Sequence, residues 1–165
     1  MVEKNVHFLK TNSGKKGEGM PVVRNPQFYF REGFCWNNIL NPEARLLKVK
    51  LKQASVNDVG SMSLMPICSF TPCLYLLCLL NSNLIFDYYR VFINCSVNIQ
   101  INDIKQLPII IPSQEDMQKC VDCANRAVII KKLATEEPAA NNCDYFELAE
   151  LEKEMDNTVN NLYHI

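Results

Sequence analysis

Polar and apolar residues alternate through Ser96, Val97, Asn98, Ile99, Gln100 and Ile101. That two-residue period predicts a strand. It turns Val97, Ile99 and Ile101 toward a core and leaves Ser96, Asn98 and Gln100 on an amide-rich opposite side. The run Ile109, Ile110, Ile111 between Pro108 and Pro112 predicts a buried segment. Upstream, residues 22–36 (VVRNPQFYFREGFCW) look β-rich, with turn signals at Asn25-Pro26 and Glu32-Gly33. Phe28, Tyr29, Phe30 and Trp36 are expected mostly in the core, with base stacking as the alternative. Residues 45–59 continue the β pattern, mixing core and solvent positions, and Asn57-Asp58 with Gly60 marks a turn.

Helical patterns follow. Thr71 is placed to cap a helix whose first residue is Pro72. This helix covers CLYLLCLL and breaks at Asn81-Ser82-Asn83. A second helix is predicted from 84 to about 93. Ser113 and Asp116 form a capping-box-like start, after which Met117, Val121, Ala124, Val128 and Leu133 recur at helical spacing. Residues 135–142 read as a loop. Residues 145–162 form a last amphipathic helix with Leu148, Leu151, Met155, Val159 and Leu162 on one face. That stripe either packs on the chain's own body or docks on a partner. The expected fold class is α/β (α+β): a basic flexible arm at 1–21, a mixed β-rich body with embedded helices at 22–112, and a C-terminal helical pair at 113–165.

Charge adds an asymmetry that the net value of −1 hides. Residues 1–60 carry ten Lys/Arg against five Asp/Glu, a balance of +5. Residues 61–165 carry seven against thirteen, a balance of −6. A basic part beside an acidic part suggests an anionic partner for the first, or simply two solvated faces. The Gly/Lys-rich piece SGKKGEG at 13–19 lacks P-loop spacing. It reads as a basic loop that settles on phosphates, or as a solvent loop.

The residues offer little for catalysis. There is no Gly-rich dinucleotide fingerprint, HExxH, nucleophile elbow, PD-(D/E)xK pattern or Asn-Pro-Pro-aromatic tetrad. His7 and His164 lie at opposite ends, and Glu115 with Asp116 already suits a helix start. Cys120 and Cys123 form a CxxC with no second pair at zinc-ribbon spacing, so no metal is expected. The polar N-terminus does not resemble a signal peptide. Residues 65–80 are too short and too broken by proline to span a bilayer. Reduced thiols in a cytoplasmic protein are therefore the expectation.

The order of FREGFCW, SVNDVGSMSLMP, YLLCLLNSNLIFDYYR and VNIQINDIKQLPIIIP resembles the target recognition domain of adenine-specific DNA methyltransferases. The match is to the TaqI-like C-terminal specificity domain of type II restriction-modification enzymes, over about 22–112. LEKEMDNTVNNLYHI looks like the final helix of these proteins. The resemblance implies a division of labour. A Rossmann-like domain binds S-adenosylmethionine and carries the catalytic tetrad, while the specificity domain reads DNA in the major groove. Only the second part is recognisable here. The chain is then a fragment or a specificity subunit with no cofactor of its own. Its partners are double-stranded DNA and a methyltransferase catalytic domain or subunit. Self-association through the C-terminal helices is the alternative, and no membrane is implied.

For that role, phosphate contacts need Lys and Arg: Lys10, Lys15, Lys16, Arg24, Arg31, Arg45, Lys48, Lys50 and Lys52. Base reading needs Arg, Asn or Gln as bidentate partners: Arg24, Asn25, Gln27, Arg31, Asn57, Asn98 and Gln100. Each has an ordinary reading as a solvated or turn residue, Asn25 and Asn57 above all.

Overall fold

The computed structural model describes residues 26–56, 61–65, 72–136 and 144–165. A 3₁₀ turn at Pro26–Phe28 leads into strand β1, Gly33–Asn37. Strands β2 (Lys50–Lys52) and β3 (Ser61–Leu64) flank β1 on either side, both antiparallel to it. Helix α1 spans Cys73–Leu80 and α2 spans Asn83–Tyr88, running on as a π-helical turn at Tyr89–Ile93. A short α3 (Ile101–Ile104) precedes two long helices, α4 (Gln114–Glu136) and α5 (Asp144–Leu162). The fold is mixed α/β with C-terminal helices, and helix dominates strand.

The sheet's register explains which of its residues face the core. Phe34 pairs with Leu51 and Leu64, and Trp36 pairs with Met62. Alternation puts these on one face, where Phe34 and Trp36 are each 1% exposed. Gly33 is required for the close approach of β1 and β3: a Cβ there would sit 2.5 Å from the Leu64 carbonyl oxygen. Helix α1 is apolar almost all round, as a buried helix is, and Tyr75, Leu77, Cys78, Leu79 and Leu80 are buried. It packs on α4, where Cys120, Cys123 and Ala124 are buried.

Between α1 and α2 the chain bends by 63°. Ser82 stabilises the bend from both sides. Its hydroxyl donates to the Leu79 carbonyl at 2.8 Å and accepts from the Ile85 N–H at 3.3 Å. No single helix among the described residues is long and apolar enough to cross a membrane. At α4 the predicted Ser113 start is present: Asp116 N–H donates to Ser113 Oγ at 3.1 Å, and that hydroxyl donates to the Asp116 carboxylate at 2.7 Å. On α5, Leu148, Leu151, Met155 and Val159 are buried. The stripe packs on α4, α1 and α2 of the same chain, so the chain's own body covers it.

Several expectations are corrected. Residues 96–101 do not form a strand. They make one isolated bridge, Asn98 to Ile39, and then enter α3. Ile99 is fully buried, but Val97 is 40% exposed and Ile101 36%. The isoleucine run is not buried either, with Ile111 74% exposed. It is an irregular strap between α3 and α4. Tyr75 and Tyr163 hydroxyls donate to the carbonyls of Ile110 and Pro108, which fixes the backbone and leaves alternate side chains outside. Of the aromatics assigned to the core, Trp36 is buried while Phe28 and Phe30 are exposed. Pro72 is the N-cap of α1 rather than its first residue, and α4 continues through Thr135 to Glu136. Leu133 is exposed; Cys120 and Cys123 take the inward positions on α4. The arm at 1–21, the SGKKGEG loop, Thr71 and the turn at 57–60 lie outside the described residues.

Candidate nucleic-acid interface

Register gives the sheet a second, polar face. Cys35 pairs with Lys50 and Ser63, Gly33 with Lys52, and Asn37 with Ser61. Side chains of this set point away from Phe34 and Trp36. Lys50 and Asn37 are exposed, and Ser61 and Ser63 half-buried. Asn37, Ser61 and Ser63 were not among the sequence candidates. Their signal was present in the alternation of SMSL, where serine and apolar residues take turns.

The expected site residues divide. Lys50 stands exposed on β2, an edge strand. Lys48 and Arg45 are exposed in the loop before it, Lys48 with a left-handed φ of 53°. Gln27 is exposed in the 3₁₀ turn, and the Arg31 guanidinium lies 5.6 Å from the Phe28 ring centroid. Lys52 is different, being only 6% exposed. Its ammonium donates to the carbonyls of Ser55 at 2.7 Å, Arg31 at 2.9 Å and Gln53 at 3.2 Å. Its three donors are engaged, so Lys52 is a structural cation and not a phosphate contact. Lys10, Lys15, Lys16, Arg24, Asn25 and Asn57 lie outside the described residues.

Asn98 and Gln100 are exposed, but their neighbourhood is a hydrogen-bonded loop and not a reading face of a strand. Asp103 Oδ2 accepts from Asn94 Nδ2 at 2.8 Å, from Gln100 N–H at 2.9 Å and from the Tyr89 hydroxyl at 3.3 Å. Asn94 Oδ1 accepts the Ser96 N–H at 2.8 Å. Many of the amides and hydroxyls that alternate in the sequence are therefore closing turns. The loop is fixed to the sheet region by Leu40 N–H to the Val97 carbonyl at 2.7 Å and Ile99 N–H to the Asn38 carbonyl at 2.9 Å. Arg31 precedes β1 and Asn98 lies beyond its other end. Lys50, opposite Cys35, lies between these two ends of β1.

The ion pairs among the described residues all lie on α4 and α5: Lys119 with Glu115 and Asp116, Arg126 with Glu147 and Glu154, and Lys153 with Glu150. These exposed pairs add little stability, on the order of 0–1 kcal/mol each, and they engage Lys119, Arg126 and Lys153 but not the exposed Lys131 and Lys132 of α4. Among the described residues, Arg31, Arg45, Lys48 and Lys50 take part in no ion pair.

Two of the thiols buried between α1 and α4 are held protonated. Cys78 and Cys120 are both fully buried. A hydrogen bond to Cys120, together with burial, pushes the Cys78 thiol well up. Burial, then the Glu154 carboxylate, pushes Cys123 up to about 11. A protonated thiol is a poor metal ligand and nucleophile. Among the described residues, no group of three or more His, Cys, Asp or Glu side chains is arranged to hold a metal ion. No protein-family model matches this chain, and no curated protein matches it.

Proposed function

We infer that this chain is a sequence-specific DNA recognition module, the specificity part of an adenine-specific methyltransferase of a type II restriction-modification system. Methyl transfer, with its S-adenosylmethionine, belongs to a catalytic domain or subunit that the module serves. The observation that carries the reading is the polar face of the sheet. It presents Lys50 and Asn37 outward, with the unpaired cations Arg31 and Lys48 at its margins. Phosphate contacts by such cations fix position, and the amides of Asn37, Asn98 and Gln100 are of the type that read base edges. The alternative, docking through the C-terminal helices, loses its motive because the stripe on α5 is already covered.

Selection of bound duplexes from a random pool tests this. Enrichment of one short site is the expected result. Equal recovery of all sequences, or no recovery, contradicts it. Alanine at Asn98 or Gln100 is expected to alter the enriched sequence if these amides read bases.

A further inference from the structure

The turn ahead of β1 carries features that the sheet face does not use. Phe28 and Phe30 are 41% and 45% exposed, and Arg31 lies over the Phe28 ring. Phe30 has φ 57°, a left-handed conformation that a bulky residue rarely adopts. Strain of this kind persists only where the surroundings fix it, and here they do. The Phe30 N–H donates to the Ser55 carbonyl at 3.2 Å. The buried Lys52 ammonium also ties the carbonyls of Arg31, Gln53 and Ser55 together. The scaffold therefore fixes the backbone that carries two exposed rings and a guanidinium.

We propose that Phe28, Phe30 and Arg31 form a stacking platform for an unstacked nucleobase. Exposed aromatic rings stack on the face of any base, and a planar cation beside them complements both the base and its phosphate. Arg31, which takes part in no ion pair among the described residues, is the cation that complements the nucleotide's phosphate. The platform rests on the DNA-binding reading above and deepens it: duplex would be held by the sheet face, and a base taken out of the stack would be held by the turn.

The test uses the full chain and DNA containing 2-aminopurine, whose fluorescence reports stacking. Single-stranded DNA is expected to bind with a change in 2-aminopurine emission. Phe30→Leu should abolish that change and weaken single-strand binding about tenfold or more. Phe30→Gly should raise the melting temperature by relieving the strain, yet lose the same signal. Arg31→Lys, which keeps the charge but not the plane, should weaken binding severalfold without changing its salt dependence. If the wild-type chain binds duplex with salt dependence but gives no emission change, or Phe30→Gly keeps full single-strand affinity, the platform is wrong and the duplex reading stands. If neither form of DNA binds, the DNA reading itself fails and the platform with it.

Discussion

The side-chain amide of Asn81 pairs with both backbone groups of Val49. Its Oδ1 accepts the Val49 N–H at 2.9 Å and its Nδ2 donates to the Val49 carbonyl at 2.8 Å. The same nitrogen donates to the Leu77 carbonyl at 3.0 Å. One amide thus acts as a strand partner for the chain entering β2 and as a cap for α1. It joins the sheet that carries Lys50 to the helical core. Replacing Asn81 by Leu leaves the Val49 groups unsatisfied, each at about 1–3 kcal/mol. The expected loss is at least about 2 kcal/mol, measured by urea unfolding. Asn81→Asp keeps the acceptor but turns a carboxylate toward two carbonyls, and should be as damaging.

Asp103 organises the loop that presents Asn98 and Gln100. Asp103→Ala removes three hydrogen bonds at once and should cost about 1–3 kcal/mol. Hydrogen exchange should speed up at the Gln100 amide, which donates to Asp103, while amides of α5 stay protected. Unchanged protection at Gln100 would mean that the loop is held by its backbone bridge to Ile39 alone.

Gly33→Ala tests the packing of β1 on β3. A methyl group 2.5 Å from the Leu64 carbonyl oxygen forces the strands apart. A destabilisation of about 1–3 kcal/mol is expected from overpacking of this kind, with the sheet and not the helices losing protection.

Alkaline pH should destabilise the protein over a defined window. Burial, then the Asp103 carboxylate, pushes Tyr89 from 10.0 up to about 12. Cys123 is pushed from 9.0 to about 11. Both folded values lie above the unfolded ones, so each group contributes stability that is fully present below its unfolded value. That stability is lost as pH rises through the folded value. Stability should therefore hold up to about pH 9 and fall between about pH 9 and 12. Tyr89→Phe should flatten the upper part of that fall, which a series of urea melts against pH would reveal.

Helices with one consistent pattern were legible in the sequence. The apolar run of α1, the Ser113 cap of α4 and the stripe Leu148, Leu151, Met155, Val159 on α5 all sit where their spacing puts them. Residues 94–101 misled because the alternation has two physical sources. In a strand it separates two faces; here it reflects Asn94, Ser96 and Asp103 closing turns around a single buried residue, Ile99. Lys50 and Lys52 show the same limit. Their spacing is that of one strand face, yet one is solvated and the other buried, because only Lys52 finds three carbonyls within reach. The polar face of the sheet depended on pairings between β1, β2 and β3 that local pattern does not carry.

The central claim is that exposed cations of the sheet face and its margins contact DNA phosphates. The most direct measurement is duplex affinity against salt concentration, for the wild-type chain and for a variant with Arg31, Lys48 and Lys50 all replaced by Gln. Each lost phosphate contact lowers the slope of log affinity against log salt by about 1. The wild-type affinity should fall steeply with salt, and the slope should shrink by about 2–3 in the variant. A flat wild-type response, or an unchanged slope in a folded variant, would contradict the account.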